Sequence, residues 1–188
     1  SIYLCTIIVH KFYYLFNIFL VLFLKLNKRK ILLILLKKQE QIMTKELQNK
    51  LYTEIPLTKM MEIKIQDYNE QELITTAPLN PNINDKGTAF GGSLSTITII
   101  SAWSLCWLIS KELGFDSNNI VIIKNETSFK KPVTKDIVCH TKKPSFEEIK
   151  TKKKKLEIKK SASIKIESKI IENDEICVEF VGYYVIKL

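Results

Sequence analysis

From Ala89 to Ser110 the chain runs for 22 residues without a charge, AFGGSLSTITIISAWSLCWLIS. A helix of that length that is apolar all round belongs either in a membrane or wholly inside a protein. Seven of the 22 residues are Ser or Thr, and strand-like sequence flanks the run on both sides, so burial is expected. Only a large surface, such as a sheet curled around the helix, can bury it. Lys111-Glu112-Leu113-Gly114 reads as the end of the run, with glycine just past the helix cap. A helix over about residues 90–113 is therefore predicted.

The flanks supply the sheet. Residues 44–52 (TKELQNKLY) read as a short amphipathic helix stopped by Pro56. Residues 60–77 read as two strands, MMEIKIQDY and QELITTA, with a turn at Asn69-Glu70. Met61, Ile63 and Ile65 alternate with polar residues, the period of a half-buried strand. Pro78 and Pro81 end this part, because proline cannot donate to a ladder. After Gly114, Asn119–Val133 reads as one strand and Asp136–Glu148 as another. From Leu156 to Ile170 the even positions are mostly apolar and the odd ones Glu, Lys and Ser, which predicts one long strand with a single buried face. Asn173-Asp174 supplies a turn, and Glu175–Leu188 pairs back. Two strands, a helix and four more strands make an α+β chain, not a βαβ one.

Entry into the apolar helix is through Asn82–Leu94, NINDKGTAFGGSL. A polar, Asn-rich loop passes Gly87 and reaches the Gly91-Gly92 pair at the expected helix start. The first turn of a helix presents unpaired N–H groups and a partial positive charge. Glycines let another group approach that turn closely. Such a loop is suited to holding a carbonyl oxygen as it becomes an oxyanion, although the same pattern also serves merely to pack a strand against a helix.

Charge argues against a nucleic-acid partner. The whole chain carries 29 basic and 20 acidic residues. Most of that excess lies in residues 1–42, which hold seven basic residues and one acid, so residues 43–188 carry a net charge of only +3. The first 24 residues hold 19 apolar residues and one charge, Lys11, and are followed by Lys25, Lys28, Arg29 and Lys30. Taken literally, this is a membrane span with a cytoplasmic basic flank. The other reading is translation of AT-rich DNA upstream of Met43, in keeping with 28 Lys against one Arg and 28 Ile. On either reading residues 1–42 are expected to stand outside the fold of residues 43–188, and the membrane is a partner only if residues 1–24 are genuine. Cys5, Cys106, Cys139 and Cys177 form no CxxC pair, and only His10 and His140 are present, so neither a disulfide framework nor a metal site is indicated. Buried free thiols point to a reducing, cytoplasmic compartment. No cofactor is expected.

Taken together, IPLTKMM (Ile55–Met61), APLNPNINDKGTAFGGSLS (Ala77–Ser95), AWSLCWL (Ala102–Leu108) and FKKPV (Phe129–Val133) carry a resemblance. Residues 54–188 resemble the YiiD C-terminal family of thioesterase domains, which has the hotdog fold: an antiparallel sheet wrapped around one long apolar helix. The resemblance implies a dimeric domain handling an acyl thioester of coenzyme A or acyl carrier protein. Hotdog thioesterases more widely carry N-x-x-G-x-x-H-G-G. Asn84, Gly87 and Gly91-Gly92 fall on that pattern, with Phe90 in place of His. The acid those enzymes often carry seven residues past the second glycine is Ile99 here.

Asn84, Gly91 and Gly92 are accordingly the candidate catalytic residues, the two glycines as oxyanion donors and Asn84 orienting water or the carbonyl. Asn82, Gly87, Thr88, Phe90 and Ser93 are the candidate substrate contacts. Each has a plainer use. Asn82 and Asn84 suit Asx turns, Asp85 suits an exposed turn, and Ser93 is an ordinary helix-start residue. Trp103 and Trp107, four apart, suit core or dimer packing. The Lys152–Lys155 run suits a solvated turn or the phosphates and acidic surfaces of an acyl carrier. Two functions follow: a thioester hydrolase, or an acyl-thioester-binding module without catalysis.

Overall fold

Proline at position 56 both ends one helix and starts the next. The computed structural model describes residues 28–188 except 29, 33 and 117. The chain divides into two compact units, Ser1–Gln41 and Ile42–Leu188. The first contributes only helical residues among those described, with Ile31, Leu32, Ile34, Leu35 and Leu36 exposed. The membrane span read in residues 1–24 lies outside the described residues.

In the second unit, residues 42–54 are helical (α1), burying Leu47 and Leu51 one turn apart. Pro56 excludes Ile55 from helical geometry: Ile55 has φ −127° and ψ 79°. The same proline then opens the short helix α2, Pro56–Met60, where a missing N–H costs nothing. The strand read from Met60 therefore begins later, at Lys64. Strand β1 is Lys64–Tyr68 and β2 is Glu72–Ala77. Asn69 closes the turn between them, its side-chain oxygen accepting from the amides of Gln71 (2.8 Å) and Glu72 (3.1 Å).

Helix α3 is Gly91–Glu112, ending at Leu113. Gly114 follows with φ +80°. The Phe115 amide bonds the Ser110 carbonyl and the Gly114 amide that of Lys111, each at 2.9 Å, which is the Schellman closure expected there. Four strands succeed it: β3 (Asn119–Phe129), β4 (Ile137–Lys142), β5 (Ser161–Glu172) and β6 (Glu175–Lys187). All pairings are antiparallel, in the order β1-β2-β4-β5-β6-β3. Asn173 and Asp174, at φ 51° and 62°, turn β5 into β6.

The sheet packs on α3 through β2 to β6. Although α3 is long and apolar enough to cross a membrane, Leu94, Ile97, Leu105, Cys106, Leu108 and Ile109 are all buried against the sheet. Its buried Thr98, Ser101 and Ser110 hydroxyls find partners, as buried hydroxyls generally do, while Ser104 Oγ has none among the described residues. Ser101 Oγ and Thr141 Oγ1 lie 2.6 Å apart, and Thr141 Oγ1 lies 2.9 Å from Ser168 Oγ. Tyr184 reaches from β6 to donate its hydroxyl to the Ile99 carbonyl at 2.9 Å. This is the hotdog arrangement.

One stretch differs from its sequence reading. Phe146–Lys159 is a helix, α4, where strand was expected to Glu148 and again from Leu156. Ser145 caps it, accepting from the Glu148 amide, and Glu147 and Glu148 sit in the positive first turn. Leu156 and Ile158 look equivalent at a spacing of two. On the helix they diverge: Leu156 is fully buried and Ile158 is 78% exposed. Lys160, left-handed at φ 55°, ends the helix, and the alternating strand begins at Ser161.

Candidate active site

The loop joining β2 to α3 is folded by its own side chains. Pro81 lies in a 3-10 turn, Asn80–Asn82. Asn82 is buried, and its amide group donates to the carbonyls of Met61 (3.0 Å) and Pro78 (2.8 Å). Asn84 does more. Its side-chain oxygen accepts from the amides of Lys86 (2.8 Å) and Thr88 (3.2 Å). Its side-chain nitrogen donates to Thr88 Oγ1 at 2.9 Å, and its backbone amide to the Thr88 carbonyl at 2.8 Å. Gly87, at φ +76°, completes the turn. Asp85 is exposed at its tip. Asn84 and Thr88 thus clamp the loop shut, and Asn82 anchors it to the turn before β1.

Two further bonds aim the loop. The Ala89 amide donates to the Val133 carbonyl at 2.8 Å, and the Phe90 amide to the Asn82 carbonyl at 2.7 Å. Phe90 is then the N-cap residue in extended geometry, and it has no side-chain group to cap with. The first helical bond recorded there is Leu94 N–H to the Phe90 carbonyl, at 3.0 Å. No protein acceptor faces the amides of Gly91, Gly92 and Ser93 among the described residues. Three N–H groups at the positive end of a 22-residue helix are therefore available together.

The surroundings are apolar. Phe90 is 56% exposed and folds its ring back over Gly92, where an added Cβ would lie 2.3 Å from a ring carbon. Phe129, at the end of β3, is 54% exposed, and its ring lies 3.9 Å from where a Cβ on Gly91 would be. Ile83 is exposed across the bridge to Ala89. The amides are flanked by aromatic rings, not by carboxylates. On α3 itself no acid precedes Glu112. The Ile99 side chain is half-buried. An anion placed at the amides would meet donors between apolar rings, in a first turn where Gly92 itself is exposed.

Asn82, Asn84, Gly87, Thr88, Phe90, Gly91, Gly92 and Ser93 all fall in this one loop and first turn. Phe129 and Val133 were missed by sequence reasoning as site residues. The signal available was FKKPV, which carries the family resemblance without saying that it latches the loop. Trp107 is buried and Trp103 donates its indole N–H to the Ile120 carbonyl at 3.0 Å, so both pack the core. The Lys152–Lys155 run lies in α4, not in a turn. Just before α4, Lys143 bonds Glu112 at 2.9 Å, at the far end of α3, and 22 residues at about 1.5 Å each separate that end from Gly91 by roughly 33 Å. Cys106 and Cys139 are buried, and burial raises both thiols, Cys139 to about 11.

Because Asn84 is spent on the loop, Asn84→Ala is expected to cost about 1–2 kcal/mol of stability, read from thermal melting. Asn84→Asp keeps the acceptor for the Lys86 and Thr88 amides and should recover part of the loss. An unchanged melting point in Asn84→Ala would show that the clamp is not needed.

Solved structures share this fold. A protein of unknown function from Chlorobaculum tepidum is 31% identical, with a TM-score of 0.75 over 79% of this chain and 96% of that one. A protein described as a putative thioesterase from Shewanella oneidensis is 26% identical, with a TM-score of 0.69 over 79% of this chain and 99% of that one. A probable thioesterase from Pseudomonas aeruginosa, at 15% identity and a TM-score of 0.58, shares the fold. Residues 44–188 match the family described as "Putative thioesterase (yiiD_Cterm)", and with the glycine-led helix, its clamped loop and the sheet around it in place, the chain belongs to that YiiD C-terminal thioesterase family.

Proposed function

We propose that the chain hydrolyses an acyl thioester carried by coenzyme A or acyl carrier protein, as a homodimer in the cytoplasm. The observation that carries this reading is the set of uncapped amides at Gly91, Gly92 and Ser93 between two exposed phenylalanines. The thioester oxygen accepts from the Gly91 and Gly92 N–H groups, which polarise the carbonyl and stabilise the tetrahedral oxyanion formed by attack of water; its collapse breaks the C–S bond, and the proton lost by the water leaves with the carrier thiol. Phe90, Phe129 and Ile83 give the acyl portion an apolar wall. Asn82, Asn84, Gly87 and Thr88 hold the donors in place, so little reorganisation is needed when charge develops. The Ser93 hydroxyl stands in the first turn beside the carbonyl. Free, buried Cys106, Cys139 and Cys177 suit a reducing compartment. Strand β3, an edge of the sheet with Val121 and Ile123 exposed, offers a face for a second copy.

One observation favours a second reading, a binding module without turnover. Ile99 stands where the wider superfamily often carries its acid, and its carbonyl is occupied by the Tyr184 hydroxyl. A general base must lie within hydrogen-bond reach of the water it activates, and α3 offers none there. Steady-state assays of the full chain on panels of acyl-coenzyme A and acyl carrier protein thioesters decide between them. Turnover unaffected by thiol alkylation is the expected result, given that burial keeps the thiols protonated. Saturable binding with no turnover on any member would replace the hydrolase with the binding module.

A further inference from the structure

Helix α4 is the connection between the paired strands β4 and β5, and it leaves one side open to solvent. With its cap, residues 146–160, it carries seven lysines and three glutamates. None of those lysines lies within ion-pair distance of a carboxylate among the described residues, whereas Lys143 and Lys165 close by are paired with Glu112 and Glu167. The helix docks through Leu156, which is fully buried, and Ile149, which packs on the core. Away from that side, positions four apart form one ridge that winds through about 120° between its ends: Phe146, Lys150, Lys154 and Ile158, all exposed, with Glu147 and Glu157 exposed beside it. Phe146 is 75% and Ile158 78% exposed, about 18 Å apart along the axis at ~1.5 Å per residue. The ridge is thus two lysines bracketed by two bare apolar side chains, with Lys155 and Lys159 exposed on the next ridge.

We propose that this face of α4 docks on an anionic phospholipid surface, with the lysines on the lipid phosphates and Phe146 and Ile158 entering the interface between headgroups and acyl chains. Charge complementarity selects an anionic partner. The two apolar ends select a lipid over a nucleic acid, since phosphate and sugar offer nothing for exposed Phe and Ile to enter. A convex ridge standing out from the domain fits a broad surface better than a segment that would need a groove. A basic helix with apolar side chains at its exposed face lies in the plane of such a surface, and its binding weakens as salt screens the charges. The inference does not depend on the proposed hydrolysis, because the face lies at the opposite end of α3 from the glycine pair.

The test is flotation of the full chain with vesicles of phosphatidylcholine alone or mixed with phosphatidylglycerol at about 7:3. Wild type is expected to float with the anionic vesicles, and to do so at least about 10-fold less after the double replacement Lys150→Glu and Lys154→Glu, or at about 0.5 M salt. Phe146→Ser with Ile158→Ser should lower binding several-fold while leaving the salt dependence in place. All four positions are exposed, and an unchanged circular dichroism melt confirms that each variant folds. Binding contributed by residues 1–42, apolar and then basic, would persist undiminished after the α4 lysine replacements. Equal flotation of wild type and the lysine variant on anionic vesicles would overturn the proposal. So would a chain that ignores vesicles yet binds single-stranded RNA or an acidic protein through the same lysines.

Discussion

Proline in place of Gly92 is expected to lower thioester turnover by about 100- to 1000-fold, the usual cost of losing one oxyanion donor. The substitution removes an N–H while keeping a position in the first helical turn, where proline is otherwise tolerated. It also adds a Cβ where the Phe90 ring now rests, 2.3 Å away. Gly92→Ala separates the two effects. Alanine keeps the N–H and displaces the same ring, which is more than half exposed and free to swing outward. Alanine also favours the helix over glycine by up to about 1 kcal/mol. Turnover near wild type in Gly92→Ala and a large loss in Gly92→Pro, with equal helix content by circular dichroism, is the expected pattern. Equal losses in both would transfer the effect from the amide to the position of Phe90.

The largest effect on stability is expected at Gly182, in the middle of β6. Its inner face is roofed by its own neighbours. A Cβ there would lie 2.6 Å from a ring carbon of Tyr184 and 2.7 Å from one of Phe180. Neither ring can retreat: both are buried, and Tyr184 is tethered at its far end to the Ile99 carbonyl. Overpacking of this kind costs about 1–3 kcal/mol. Gly182→Val should reach the top of that range, which for a chain of this size lowers Tm by roughly 6–12 °C. Gly91→Ala is the control, since a Cβ there meets only Phe129 at 3.9 Å, and it should be near neutral. A Gly182→Val protein melting with the wild type would mean that the rings are not held as described.

The contrast between these glycines shows what the sequence could and could not carry. Gly114 was legible, because a glycine after an apolar run has one common use, and the Schellman bonds bear it out. Gly182 was silent, since the rings that enclose it are its neighbours at i±2 and only the pleat brings them over its Cα. The apolar run, the Asn69 turn and the Asn173-Asp174 turn were likewise local and readable. Helix α4 was not: alternation from Leu156 to Ile170 holds in the chain but spans two elements, and the cap at Ser145 with Glu148 was the sign that outweighed it. In the candidate site the loop and glycine pair were legible as a set. The distribution of labour within the loop was not, because it depends on which polar atoms meet. Asn84, read as a group that orients water or substrate, turns its side chain inward to clamp Thr88 and Lys86. Phe129 joins the site only through strand register, from 38 positions beyond Gly91.

The order of elements along the chain has a consequence for biosynthesis. Four of the five strands that pack on α3 follow it, and β5 and β6, joined by a two-residue turn, form the longest continuous ladder of the sheet. That hairpin is local and can form quickly once made, whereas β3 must wait for β6 before it has any partner. A ribosome therefore delivers the 22-residue α3 well ahead of the surface that hides it. During that interval the emerging chain displays a helix uncharged from Gly91 to Ser110 and resembling a membrane segment, a natural client for holdase chaperones until the last strand arrives.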